Sequence, residues 1–274
     1  MNTTQLTRFC PQERDSKTVG AKLNLPIYIY KMFSLARHSR DNGNPDIFLY
    51  RTSAAGRLTG LAKTIRRIIL WVTALLPLCA AAPTAQTVLF LGDSITAGYG
   101  LDSPQAYPDL IQKKIDAKGW NFKVVNAGQS GDTSAGGLSR LNWVLKNRID
   151  VLVLELGGND GLRGLSVEGM KKNLQAIIDR TRERYPEAKI VIAGMKLPPN
   201  MGRDYVRQFE AVFPDLAKKN HAELIPFVLE GVGGVQALNQ PDALHPTAKG
   251  HEIVAANVWK VLEPVLRSLA AKGS

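Results

Sequence analysis

Val151-Leu152-Val153-Leu154-Glu155-Leu156-Gly157-Gly158-Asn159-Asp160 is the stretch that decides the fold. Its first four residues are apolar without alternation, the pattern of a parallel strand buried on both faces. Four other short apolar or β-branched runs occur at 88–91, 122–125, 190–193 and 224–227. Stretches with helical spacing lie between and after them, at 107–117, 133–146, 166–184, 205–219 and 247–271. In the third of these, Met170, Leu174, Ile177 and Ile178 fall on one side, away from Lys171, Lys172, Arg180 and Glu183. Strand-helix alternation through five units predicts an α/β protein, a three-layer sandwich around a central five-stranded parallel sheet. No repeat or linker interrupts residues 87–274, so a single domain is expected there.

Ligands of such sheets bind beyond the carboxyl ends of the strands. Ser94, in Gly92-Asp93-Ser94-Ile95, follows the first run, Gly131 the second and Asn159 the third, while Asp242 and His245 come after the fifth. A serine hydroxyl is a weak nucleophile until a histidine takes its proton, and that histidine needs a carboxylate to orient it. Elimination points to one histidine. His38 precedes the folded part, His221 ends a helical stretch where a cation suits the helix dipole, and His251 lies inside the last helical stretch. His245 sits in a loop, three residues after Asp242 and directly before Pro246.

The residues therefore read as Ser94 the nucleophile, His245 the general base and Asp242 its orienter. The plainer alternatives are a helix cap at Ser94 and an aspartate turn at Asp242. The N–H groups of Ser94 and Gly131, with the Asn159 amide, would hold an oxyanion. Gly157-Gly158-Asn159 would equally suit a turn at a strand end. Asp93 and Asp160 are expected to make structural hydrogen bonds, and Asp132-Thr133-Ser134 to cap the following helix. No two histidines have metal-ligand spacing, so no metal site is expected.

The formal net charge of +11 invites a nucleic-acid reading, but its distribution argues against one. Residues 1–86 hold 12 Lys/Arg and 4 Asp/Glu, whereas residues 87–274 hold 23 and 20. No basic stripe interleaved with aromatics occurs in the second part, so nucleic acid is not an expected partner. Lys63, Arg66 and Arg67 precede an apolar run of 15 residues, 68–82, that ends in small residues. That order is the layout of a secretory signal peptide, placed over 61–86. The run is short for a spanning helix and Pro77 interrupts it, so no stable membrane insertion of the mature chain is expected. Residues 1–60 show no sustained periodicity; they read as a disordered extension or as sequence upstream of a true start near Leu58 or Leu61. Both cysteines, Cys10 and Cys79, precede residue 87, so the domain is expected to hold no disulfide. The expected destination is the periplasm or the medium.

Taken together, Leu91 to Tyr99, Asn126 to Ser134, Glu155 to Gly164 and Asp242-Ala243-Leu244-His245-Pro246 resemble the blocks of the SGNH (GDSL) hydrolase superfamily. The Ser, Gly, Asn and His of those blocks correspond to Ser94, Gly131, Asn159 and His245, with Asp242 completing the triad. The blocks look like the periplasmic thioesterase I/lysophospholipase/arylesterase branch, and the resemblance covers residues 87–270. It implies a flavodoxin-like fold, no cofactor and action on small acyl esters and thioesters. It also implies a substrate groove near residues 161–167 and near Leu197-Pro198-Pro199. The competing expectations are a carbohydrate O-deacetylase on the same scaffold, and a membrane-tethered binding protein with an idle site.

Overall fold

The computed structural model describes residues 84–272 except Ser103, together with Thr64 and Arg66. The extension over 1–60 lies outside the described residues, as does the signal over 61–86 apart from Thr64, Arg66 and residues 84–86. The chain divides into two units, Met1–Ala80 and Ala81–Ser274, and every strand among the described residues belongs to the second.

Five parallel strands form one sheet: β1 (Gln86–Gly92), β2 (Phe122–Gly128), β3 (Val151–Glu155), β4 (Lys189–Ala193) and β5 (Glu223–Ile225), in the order β2-β1-β3-β4-β5. β3 is the central strand and all five of its residues are buried, Val151 to Leu154 as their unbroken apolar run requires and Glu155 with them. Leu152 pairs in register with Leu89 on one side and Ile190 on the other. Each such fully buried side chain stabilises the fold by about 1.5–3 kcal/mol. β2, at an edge, is only partly buried, and its polar residues Lys123 and Asn126 sit there at no burial cost.

From residue 84 onward the α-helices are α1 (Ser94–Ala97), α2 (Tyr107–Ala117), α3 (Ser134–Val144), α4 (Gly158–Leu162), α5 (Val167–Arg184), α6 (Arg203–Lys219) and α7 (Ala248–Ala270). α2 packs on α7, while α3 packs on α5 and α5 on α6, which makes the expected three layers. The predicted apolar face of α5 is the buried one: Met170, Leu174, Ile177 and Ile178. Two features differ from expectation. β5 stops at Ile225 because Pro226 has no N–H to continue a ladder. The short helix α4 begins at Gly158, just after β3, where Gly157-Gly158-Asn159 would equally have suited a turn.

This strand order reverses direction between β1 and β3, and the crevice beyond that switch point is where doubly wound sheets bind ligands. Ser94 and Asn159 stand at its two sides.

Candidate active site

β1 delivers the chain to Gly92, and Asp93 then caps α1 by accepting the Ile95 N–H on Oδ1 at 3.0 Å. Ser94 is therefore the first residue of α1, 9% exposed, and its N–H has no acceptor within the helix. Two glycines let this turn sit against the sheet. A Cβ on Gly92 would lie 2.0 Å from Thr96 Oγ1, and one on Gly128 would lie 2.2 Å from the Ala97 nitrogen.

The loop before α7 brings in the histidine. Ala243 takes a left-handed φ of 57°, which a non-glycine residue adopts at a cost of roughly 1–3 kcal/mol. Hydrogen bonds hold the loop in that shape: Gln240 N donates to His245 O at 2.7 Å and Ala243 N to Gln240 O at 2.9 Å. The Gln240 side-chain amide reaches Tyr99 O at 2.7 Å and Pro246 O at 3.1 Å, tying the loop to the end of α1. Asp242 Oδ1 accepts from Leu244 N at 2.9 Å and His245 N at 3.0 Å, leaving Oδ2 2.7 Å from His245 Nδ1. His245 Nε2 lies 2.9 Å from Ser94 Oγ. With the ring proton on Nδ1 donated to Asp242, Nε2 is free to accept from the serine hydroxyl. The Tyr99 ring covers the imidazole, with centroids 4.6 Å apart.

Asn159, the second residue of α4, lines the same cavity as Ser94 and His245. Its Nδ2 donates to Asp132 O at 3.0 Å and to Asp93 Oδ2 at 3.2 Å, and its Oδ1 is 3.3 Å from Arg163 Nη2. Gly131 stands in the turn after β2 with φ of 83°, a backbone conformation that favours glycine. It does not line that cavity; its carbonyl accepts from Arg163 Nη2 at 2.9 Å, which links it to Asn159. The cavity is about 460 Å³ and its walls are largely apolar, with Ile95, Leu162, Met195, Leu197 and Phe227 among them. Leu162, Leu197, Pro198 and Pro199 fall in the two segments expected to border the groove.

The charges around Ser94 are uneven. Hydrogen bonds from the His245 backbone and ring, and from Leu244 N, hold the Asp242 carboxyl down to about 2, so it is anionic throughout the neutral range. Burial pushes Asp93 up to about 6, against hydrogen bonds from Ile95 and Asn159 and the nearby His245. Glu155, fully buried, is held well above the ordinary carboxyl range by burial and by Asp93. His251 is buried in α7, accepts the Tyr107 N–H on Nδ1 at 3.1 Å, and is pushed down to about 4 by desolvation.

The remaining aspartates behave as the residue pattern suggested. Asp160 accepts from Ser134 N at 2.7 Å and Ser134 Oγ at 2.6 Å, and Thr133 caps α3 through Gly136 N. The structure thus brings Ser94, His245 and Asn159 to one cavity, with Asp242 outside its lining and bound to the Nδ1 side of His245. Sequence reasoning gave no role to Tyr99, Gln240, Arg163 or Glu155. Each acts through a partner distant along the chain, as with Gln240 and Tyr99, and no local pattern signals it.

Comparison with known proteins gives the family. Residues 90–253 match the GDSL-like Lipase/Acylhydrolase family. "Esterase TesA" of Pseudomonas aeruginosa is 41% identical over 203 residues, covering 74% of this chain and all of the relative. "Thioesterase 1/protease 1/lysophospholipase L1" of Escherichia coli K12 is 38% identical over 186 residues, covering 68% of this chain and 87% of the relative. Among solved structures, the psychrotrophic esterase EstA from Pseudoalteromonas sp., inhibited by monoethylphosphonate, superposes with a TM-score of 0.63 at 32% identity. That match covers 66% of this chain and 99% of the other. The fold and these matches define an ester hydrolase on a flavodoxin-like α/β scaffold. The chain belongs to the GDSL-like lipase/acylhydrolase family, the SGNH hydrolases.

Proposed function

We propose that the chain hydrolyses acyl esters and acyl thioesters through an acyl-enzyme on Ser94. The observation that carries this reading is the unbroken line Ser94 Oγ–His245 Nε2 at 2.9 Å and His245 Nδ1–Asp242 Oδ2 at 2.7 Å. His245 takes the hydroxyl proton as Ser94 attacks the acyl carbonyl, and the anionic Asp242 stabilises the imidazolium that forms. The Ser94 and Gly131 N–H groups and Asn159 Nδ2 receive the oxyanion. His245 then returns the proton to the departing alcohol or thiol, and water activated by the same ring releases the acid.

The cavity favours acyl chains over the acetyl groups of sugars. Its apolar walls are made by Ile95, Leu162, Met195, Leu197 and Phe227, where a sugar would want hydrogen-bonding side chains. Turnover of p-nitrophenyl esters from acetate to palmitate, beside acyl-CoA thioesters and acetylated sugars, tests this. Rising kcat/KM beyond acetate is expected; a preference for acetylated sugars would make the chain a deacetylase instead.

We also propose that the hydrolase acts in the periplasm or medium after loss of its leader, on the charged-apolar-small order of residues 63–82. Among the described residues no helix is long and apolar enough to cross a membrane. N-terminal sequencing of exported protein is expected to start between Pro83 and Val88. A mature chain that keeps residues 63–78 would mean a membrane anchor.

A further inference from the structure

Behind Ser94 lies a second polar cluster that the acyl-transfer steps leave unused. Glu155, the last residue of β3, is 0% exposed. Its Oε2 accepts from Thr96 Oγ1 at 2.7 Å and from Asp93 N at 3.3 Å, one contact on each side of Ser94 along the chain. Thr96 Oγ1 is in turn 2.8 Å from the Tyr107 hydroxyl. The other carboxyl oxygen, Oε1, has no hydrogen-bond partner. The site was left open for this carboxyl: a Cβ on Gly92 would come within 2.6 Å of Oε2.

Asp93 is the neighbouring carboxyl, 2% exposed, with its Oδ2 on the Asn159 amide. The charged or titratable groups facing this pair can be named element by element. α2 contributes the Tyr107 hydroxyl, and α7 contributes His251, which Tyr107 N contacts. The loop before α7 contributes His245, whose charge acts on Asp93. The carboxyl of α4, Asp160, is bound to Ser134 instead. The turn after β2 contributes Asp132, bound to Arg140 of α3 at 2.6 Å, and Arg140 Nη2 reaches Gly92 O at 3.1 Å. No cation touches either buried carboxyl among the described residues. Two adjacent charges in so dry a place would repel, and a carboxylate with a donorless oxygen would lose solvation without compensation.

We propose that Glu155 is a positioning residue that works as the neutral acid, leaving Asp93 the one charged carboxylate of the pair and hence the acceptor that holds the Asn159 amide nitrogen toward Ser94. The inference rests on the reading of Ser94 as nucleophile. The Glu155 carboxyl fixes the turn by accepting from Asp93 N and Thr96 Oγ1, and in its neutral form it adds no second charge beside the oxyanion. Asp93, charged, accepts from Ile95 N and Asn159 Nδ2 together; once protonated, it no longer enforces which end of the amide faces it. Burial acts in the same sense, pushing Asp93 up to about 6 and Glu155 well above the ordinary carboxyl range.

The test compares the full wild-type chain with Glu155→Gln and Glu155→Ala, measuring kcat and KM on p-nitrophenyl butyrate from pH 5 to 9. Glutamine mimics the neutral acid, so Glu155→Gln is expected to keep kcat close to wild type with its acid limb unmoved. Glu155→Ala removes the acceptor and is expected to lower kcat by about 10²-fold with little change in KM, the cost of a misplaced nucleophile. A Glu155→Gln variant as impaired as Glu155→Ala would show that the charge is needed and overturn the proposal. If Glu155→Ala does not fold, infrared difference spectra of the wild type decide. A protonated carboxyl at pH 8 that is missing from Glu155→Gln supports the proposal, and its absence from the wild type overturns it. Fluorophosphonate labelling of the same samples separates the two readings. A wild type that is labelled while its carboxyls fail these tests refutes the positioning role alone. An unlabelled wild type refutes the nucleophile and the positioning role together.

Discussion

Asn159 spends both amide hydrogens inside the protein, one on Asp132 O at 3.0 Å and one on Asp93 Oδ2 at 3.2 Å. Under the proposed mechanism the longer bond is shared with the oxyanion as charge develops, so the amide contributes mainly in the transition state. Asn159→Ala is therefore expected to lower kcat by about 10²–10³ with KM nearly unchanged. Steady-state kinetics on p-nitrophenyl butyrate check this, and an effect confined to KM would make Asn159 a substrate-binding residue instead. At this scale the sequence was legible where residue types are scarce. With four histidines in the chain, position alone separated His245 from the others. Glu155 was not legible, because an acid at the end of an apolar run is ordinary until Thr96 and Asp93 are seen closing on it. Nor was Tyr99, whose contact with the His245 ring spans most of the domain.

The elements were legible from periodicity, and their ends were not. Unbroken apolar runs gave β3 and β4, and the 3.6-residue stripe gave α5, because burial on two faces or on one face leaves a direct mark on residue type. β2 extends to Gly128, past the expected end at residue 125, where the apolar run stops at the polar Asn126. Pairing with β1 keeps that segment extended, in register from Gln86↔Phe122 to Gly92↔Gly128. The short helices α1 and α4 left no stripe, as four or five residues cannot complete one. Yet these two carry Ser94 and Asn159. The functional geometry thus depends on the elements least visible in the sequence, held by Asp93 at α1 and by the left-handed Gly157 before α4.

For the molecule as a whole, the buried titratable groups pull stability in opposite directions. His251 is depressed to about 4 from 6.5, so the unfolded chain binds more protons between those values. Its contribution is full above pH 6.5 and is lost as pH falls toward 4. Asp93, raised to about 6 from 3.8, does the reverse: its contribution is full below pH 3.8 and is lost as pH rises through 6. Each shift corresponds to a swing of about 3 kcal/mol. Urea unfolding at pH 5 and 7 is expected to show a wild type that loses stability relative to His251→Gln on acidification and gains it relative to Asp93→Asn. The same sign for both differences would contradict these opposite shifts. The central claim, an acyl-enzyme on Ser94, is tested most directly by treating the full chain with a fluorophosphonate and mapping the adduct by peptide mass spectrometry. The account predicts a single phosphonylated residue, Ser94, and no adduct in Ser94→Ala. An esterase-active chain that stays unlabelled, or that carries the label on another residue, would contradict it.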